Sequence, residues 1–297
     1  MAAASESRKL LVLRITSAVG AIWTGYIICL PYIRWQQERY QGPPPITTGS
    51  SVSPSLINSD TVTRIINPGN QPYKGDTRSV TFSILRDRQS GKVLSDAEIL
   101  KRLCLGFWGG SVFSYEKALL RTWKKDWVCF DDQLPRGKDR GDMFATFRPG
   151  RMDFVLEKGD TLDRAFQVLD IKVNPATAAD PSAPSDPAQP SSYIDFGFGS
   201  SQPGSKFAGV HRLSVTRLPP EQIQASGWSE QLQKEWLEDS GGRVTITHES
   251  YVCSPSPAGN WLLRNSWLQD FHERYAYGLF SLGVGYVVRG WGRSKGS

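Results

Sequence analysis

The chain has 297 residues, 39% of them hydrophobic and 22% charged, with 10 Trp, 10 Tyr and 13 Phe. That composition excludes general disorder and suits one large domain or two small ones. The net charge of +6 comes from scattered basic residues, and the densest clusters, RTWKKDW and RGKDRGD, carry acids of their own, so no nucleic-acid partner is expected.

The first element is apolar. Ile15 to Ile33 reads ITSAVGAIWTGYIICLPYI without a charge. As a helix it would extend about 28 Å, close to the hydrocarbon core of a bilayer. Tyr32 and Trp35 fall at interface level, and basic residues stand on both sides in near balance, so the orientation stays open. The expectation is a retained single-pass transmembrane helix with a short tail, residues 1–14, before it. An organellar targeting segment, a signal peptide and a buried helix are the alternatives. The run is long for a signal peptide and ends in CLPYIRW, a poor cleavage site. Endoplasmic reticulum and mitochondrial membranes are not distinguished.

Residues 34–78 are rich in Pro, Gly, Ser and Asn and read as a linker, with one short strand around Val62 to Ile66. A folded domain is expected over residues 79–290, followed by a tail, 291–297. SVTFSIL (79–85) alternates as a strand does. In SDAEILKRLCLGFW, Ser95 stands three residues before Glu98, the spacing of a capping box, and predicts a helix that Gly109 and Gly110 end. SVFSYEKALLRTWKKDW predicts a second helix. MFATF (143–147), RMDFVLEKG (151–159) and AFQVLDIKV (165–173) read as strands. NPATAADPSAPSDPAQPSS then reads as a disordered insertion over 174–192.

IDFGFGSSQPGSKFAGVHRLSVTR (194–217) has the glycines of a phosphate loop. Such a loop needs a helix after it, yet KFAGVHRLSVTRL alternates: Phe207, Gly209, His211, Leu213 and Val215 share one face. This is a glycine-rich hairpin, whose glycines imply a sharp bend or close approach by another element. GRVTITHESYVCSP predicts another strand. From Trp261 to about Val288 a helix is expected, with Leu263, Trp267, Phe271, Tyr275, Leu279 and Leu282 as its apolar stripe.

The order of this hairpin, VTITHESYVCSP and NWLLRNSWLQDFHERYAYGLF resembles a poorly characterised group of START-like, helix-grip (SRPBCC-type) proteins, over about residues 190–290. The resemblance implies an α+β fold, a curved antiparallel sheet wrapped around a long C-terminal helix with a hydrophobic pocket between. Where that group carries a Pro-Gly-His turn, this chain has Pro203, Gly204 and Ser205, and His211 comes later.

Of three histidines, two fall on predicted core faces: His211 with Phe207, Leu213 and Val215, and His248 with Val244, Ile246 and Val252. Paired strands would bring both imidazoles into one apolar cavity, where a desolvated histidine can act as a neutral base. His272, in LQDFHERY, reads as solvated helix charge. Glu249 points away from His248, leaving Asp195 as the carboxylate that a metal site would need; no metal and no cofactor is expected. Cys29, Cys104, Cys129 and Cys253 lack zinc-site spacing. The leading expectation is a membrane-anchored domain that binds an apolar small molecule or lipid against Phe198, Phe207, Leu213, Phe271 and Tyr275. A cyclase- or isomerase-type enzyme using His211 or His248 is the alternative, and a non-catalytic membrane assembly factor with a filled core is a further one.

Overall fold

A computed structural model describes residues 44–83, 85, 93–123, 127–128, 130, 132, 134–141, 156–174, 192–202, 204–218, 243–255 and 266–289. The expected span Ile15–Ile33, both tails, MFATF, residues 151–155 and 175–191, and Leu263 lie outside the described residues. Among the described residues, no helix is long and apolar enough to cross a membrane.

Among the described residues, seven antiparallel strands form one curved sheet in an α+β fold: β1 (Thr47–Gly49), β2 (Tyr73–Ser83), β3 (Thr161–Leu162), β4 (Phe166–Lys172), β5 (Ser192–Gly199), β6 (Ala208–Leu218) and β7 (Arg243–Cys253). Their order is β1-β2-β7-β6-β5-β4-β3. The three long strands at its centre pair without a slip, from Tyr73↔Cys253 to Ser83↔Arg243 and from Ala208↔Cys253 to Leu218↔Arg243. Helices are α1 (Pro54–Ile57), α2 (Asp96–Gly109), α3 (Ser111–Trp123) and α4 (Ser266–Arg289). Ser95 caps α2 as its spacing predicted: its Oγ accepts from the Glu98 amide at 3.2 Å. Glu98 spends its own carboxylate on Arg102 Nε, 2.8 Å away.

Helices α2 and α4 cover the inner face of the sheet. α2 packs on β5 and β6, and α4 packs on α2 and reaches β2. The two helices cross where neither has a side chain: a Cβ on Gly106 would stand 2.6 Å from Gly283 Cα. The buried stripe of α4 runs through Ala276, Leu279, Phe280, Val284 and Val287. It is rotated from the predicted one, and Trp267 remains 46% exposed. The cause is Gly283, which lets the helices approach on its own side. Strand glycines serve the same end: a Cβ on Gly209 would collide with the Phe198 ring at 2.2 Å.

The outer face is also covered, and here the linker expectation is corrected. Residues 44–72 fold onto the sheet, so the domain does not begin at residue 79, and β2 starts at Tyr73. Thr61–Ile66 forms a π-helical turn instead of a strand. A short apolar run has no period of its own, and the burial of Val62, Ile65 and Ile66 decides its shape. With Val52 and Leu56 they pack on Val210, Tyr251, Leu169 and Phe130. Residues 156–159, expected as the end of a strand, are loop and turn.

A polar clamp fixes this cover. Arg212 donates to Asp195 through Nε and Nη2, each at 2.7 Å, and Nη1 donates to the Ser55 carbonyl at 3.2 Å. Thr61 Oγ1 donates at 2.7 Å to Asp195 Oδ2, the oxygen that also accepts from Nη2. The Ser53 amide donates to Glu249 Oε1 at 2.5 Å. Asp195 therefore lies on the face opposite His211, so it is not available as a ligand beside the histidines.

Candidate functional site

Alternation along β6 and β7 turns His211 and His248 to the helix side, where α2 lays Phe107 and Trp108 over them. Register places Leu213 opposite His248 and His211 opposite Ser250. The imidazoles meet diagonally, His248 Nε2 lying 3.1 Å from His211 Nδ1. Arg78, opposite His248 on β2, brings Nη1 to 3.5 Å from His248 Nδ1. A guanidinium only donates, so Nδ1 accepts and the proton of His248 sits on Nε2. That proton is donated to His211 Nδ1, which leaves the His211 proton on Nε2.

His272, expected in solvent, joins this cluster. Its Nε2 lies 3.0 Å from Ser250 Oγ, and its ring lies 5.9 Å from the His211 ring at 12°. The side chain keeps 39% exposure and lies 3.9 Å from Asp76 Oδ2. Asp76 Oδ1 accepts from Arg78 Nη1, and Arg78 Nη2 donates to the Glu273 carbonyl. His272 escaped the sequence reading because it neighbours Phe271, which carries the apolar period, and flanking acids suggested an exposed face.

Burial holds His211 and His248 well below the ordinary histidine range, and nearby positive charge lowers them further: His272 and Arg78 beside His211, and each of these plus His211 beside His248. Burial also lowers His272, with Asp76 pulling the other way. The unfolded chain thus binds protons that the folded one refuses. Stability is complete above pH ~6.5 and falls as the pH drops below it. Urea unfolding is expected to show the chain roughly 2–3 kcal/mol less stable at pH 5.5 than at 7.5, if both buried histidines contribute fully. In His248→Gln that difference should shrink by about half; an unchanged slope would place the titration elsewhere.

The predicted ligand-lining residues divide. Phe198 stacks on His211 at 4.7 Å and 26°, with Phe207 6.2 Å beyond it, while Leu213 is fully buried. Phe271 and Tyr275 stack on each other at 5.8 Å, and Tyr275 Oη donates to Glu116 Oε2 of α3 at 2.6 Å. Burial raises the Glu116 carboxyl, an effect the Tyr275 hydrogen bond opposes.

Rings fill the space around His211: Trp108 has Phe166 at 4.3 Å, Phe113 at 5.1 Å and Phe196 at 5.2 Å. Ser250 is 2% exposed, and its histidine meets Asp76 through the nitrogen that faces the serine, so the pair lacks the geometry of a hydrolase triad. Among the described residues, no group of three or more His, Cys, Asp or Glu is placed to hold a metal ion.

A cavity of ≈300 Å³ opens at the other end of the helix–sheet layer. Leu100 of α2 forms one wall; Ile171, Val173 and Ile194 form the other, with Leu156 between. Glu98 and Lys101 also line it. None of the five predicted lining residues does. Ile171 and Ile194 are cross-strand partners on β4 and β5, so the wall follows from the same alternation that predicted those strands. The chain matches no family model, no curated protein and no solved structure.

Proposed function

We propose that the chain is a membrane-anchored, START-like domain of helix-grip type that binds an apolar small molecule or lipid chain without transforming it. The observation that supports this is the cleft between α2 and the β4–β5 edge, whose walls are aliphatic and whose lining includes one basic and one acidic residue. Its volume stands at the lower end of the range for small-molecule sites. It suits a single acyl segment or a compact ring system. The enzymatic reading has less support, since His211 and His248 are 7% and 0% exposed and bonded to each other.

A diazirine-bearing fatty acid added to cells expressing the chain, followed by peptide mapping of the cross-links, tests this. Labelling on residues 95–101 or 156–173 is expected. Val173 is 39% exposed, so Val173→Asp should leave the fold intact while setting a carboxylate on the wall. It should reduce that labelling about tenfold, the equivalent of ~1.4 kcal/mol. Labelling confined to residues 15–33 overturns the binding role and favours the assembly factor with a filled core.

A further inference from the structure

A separate cavity of ≈630 Å³ lies on the outer face, rimmed by β1 and residues 51–55 and floored by β2, β6 and β7. Eleven of its fifteen lining residues are Ser or Thr. This follows from register. Thr47, Ser79, Thr247 and Ser214 pair in turn across four strands, a row of hydroxyl residues spaced at about 4.8 Å, and Thr245 and Thr216 pair in a parallel row.

Some of these hydroxyls serve one another: Thr47 with Ser79 at 2.8 Å, Thr77 with the Ser51 carbonyl at 2.5 Å. Those of Ser214, Thr216 and Thr247 make no hydrogen bond to a described residue, and Ser214, only 3% exposed as a residue, keeps its oxygen open to the groove. Oxygens open to a groove are met by water until a ligand carrying hydrogen-bonding groups of its own displaces it. The chemistry of that ligand is narrow. Among the described residues no Lys, Arg, His or aromatic side chain lines the groove, so none of its described side chains attracts an anion. Glu249, the one charge among the described lining residues, is held by the Ser53 amide, and Val52, Pro54 and the threonine methyls supply an apolar part of the wall that suits the C–H faces of a sugar. Hydroxyls both donate and accept, and their natural complement is a neutral group rich in hydroxyls.

We propose that this groove binds a neutral polyhydroxylated group, either a soluble sugar chain or the sugar headgroup of a lipid. Without a ring to stack on, the affinity is expected to be weak, with a dissociation constant of about 1 mM.

The test uses the full chain in phosphocholine micelles, free of sugar detergents, with labelled threonine methyls observed by NMR. Maltohexaose, or galactosyl diacylglycerol mixed into the micelles, is titrated in. Thr47, Thr77, Thr245 and Thr247 should shift while Thr161 does not. A response to maltohexaose identifies a soluble glycan; a response to the galactolipid alone identifies a headgroup. Ser214→Ala and Thr247→Val should each weaken binding about fivefold, the loss of one hydrogen bond. An unmoved Thr161 resonance verifies the fold of each variant, and if one fails that check the other decides. Absence of shifts with both probes overturns the proposal. So does unchanged affinity in the folded variants, or tighter binding of inositol hexakisphosphate than of either sugar.

Discussion

Replacing Asp195 by Ala is expected to cost about 3–5 kcal/mol of folding stability, because it strands a cation in the interior. Arg212 is 2% exposed and Asp195 fully buried. Burial opposes the guanidinium charge, but the hydrogen bonds and charge of Asp195, with help from Glu249, outweigh it and raise Arg212. Without Asp195 the remaining support is the Ser55 carbonyl, the neighbouring Glu249 and the Tyr193 ring, 4.2 Å from the guanidinium. Thr61 loses its acceptor as well. The pair itself need not be a large net gain, since two charges were desolvated to make it. The double variant Asp195→Leu with Arg212→Met should therefore recover most of the loss. Denaturant titration of a chain beginning at Gly42, the start of the compact unit, measures both. A loss below about 1 kcal/mol in the single variant would mean that residues 44–72 do not seal the outer face in solution.

The second large effect belongs to Trp108. Its indole is 1% exposed and touches four aromatic neighbours within 5.2 Å. Trp108→Ala should cost about 3–5 kcal/mol, transfer energy plus a cavity that the flanking strands cannot close. Trp108→Phe separates two opposed contributions. It removes volume, but it also removes Nε1, a buried donor with no partner among the described residues. An orphaned donor costs about 1–3 kcal/mol, so the Phe variant should lose only about 1 kcal/mol or less. Thermal and urea unfolding of the three chains decide it. A Phe variant as weak as the Ala variant would show that the indole nitrogen is satisfied after all.

Much of the inner face was legible in the sequence. Gly209 to Val215 alternate because one side of β6 meets α2, and the same alternation in β7 carried His211 and His248 to one side. Ser95 announced α2 through a local hydrogen bond, which spacing alone can reveal. The outer face was hidden for a physical reason. Val52, Leu56, Val62 and Ile66 are scattered among Pro, Ser and Asn, and what orders them is the far surface of Val210 and Tyr251. Arg212 and Asp195 look like solvent-facing strand residues until that cover is in place. The stripe of α4 was misread because a glycine, which contributes nothing to hydrophobic periodicity, sets the line of approach. The apolar cleft depends on Leu156 meeting two distant strands. Spacing also cannot show that four strands align their outer-face Ser and Thr residues into rows.

The pairing of β2 with β7 sets a timetable for synthesis. From Ser83 to Arg243 is 160 positions, which a ribosome covers in about 10–30 s. Throughout that interval β2 has been made and its long partner has not. The segment that seals the outer face must wait too, since Val210 and Tyr251 belong to strands still to come. Residues 44–83 are thus translated early and secured among the last. A helper that shields nascent strands would act on them during that wait.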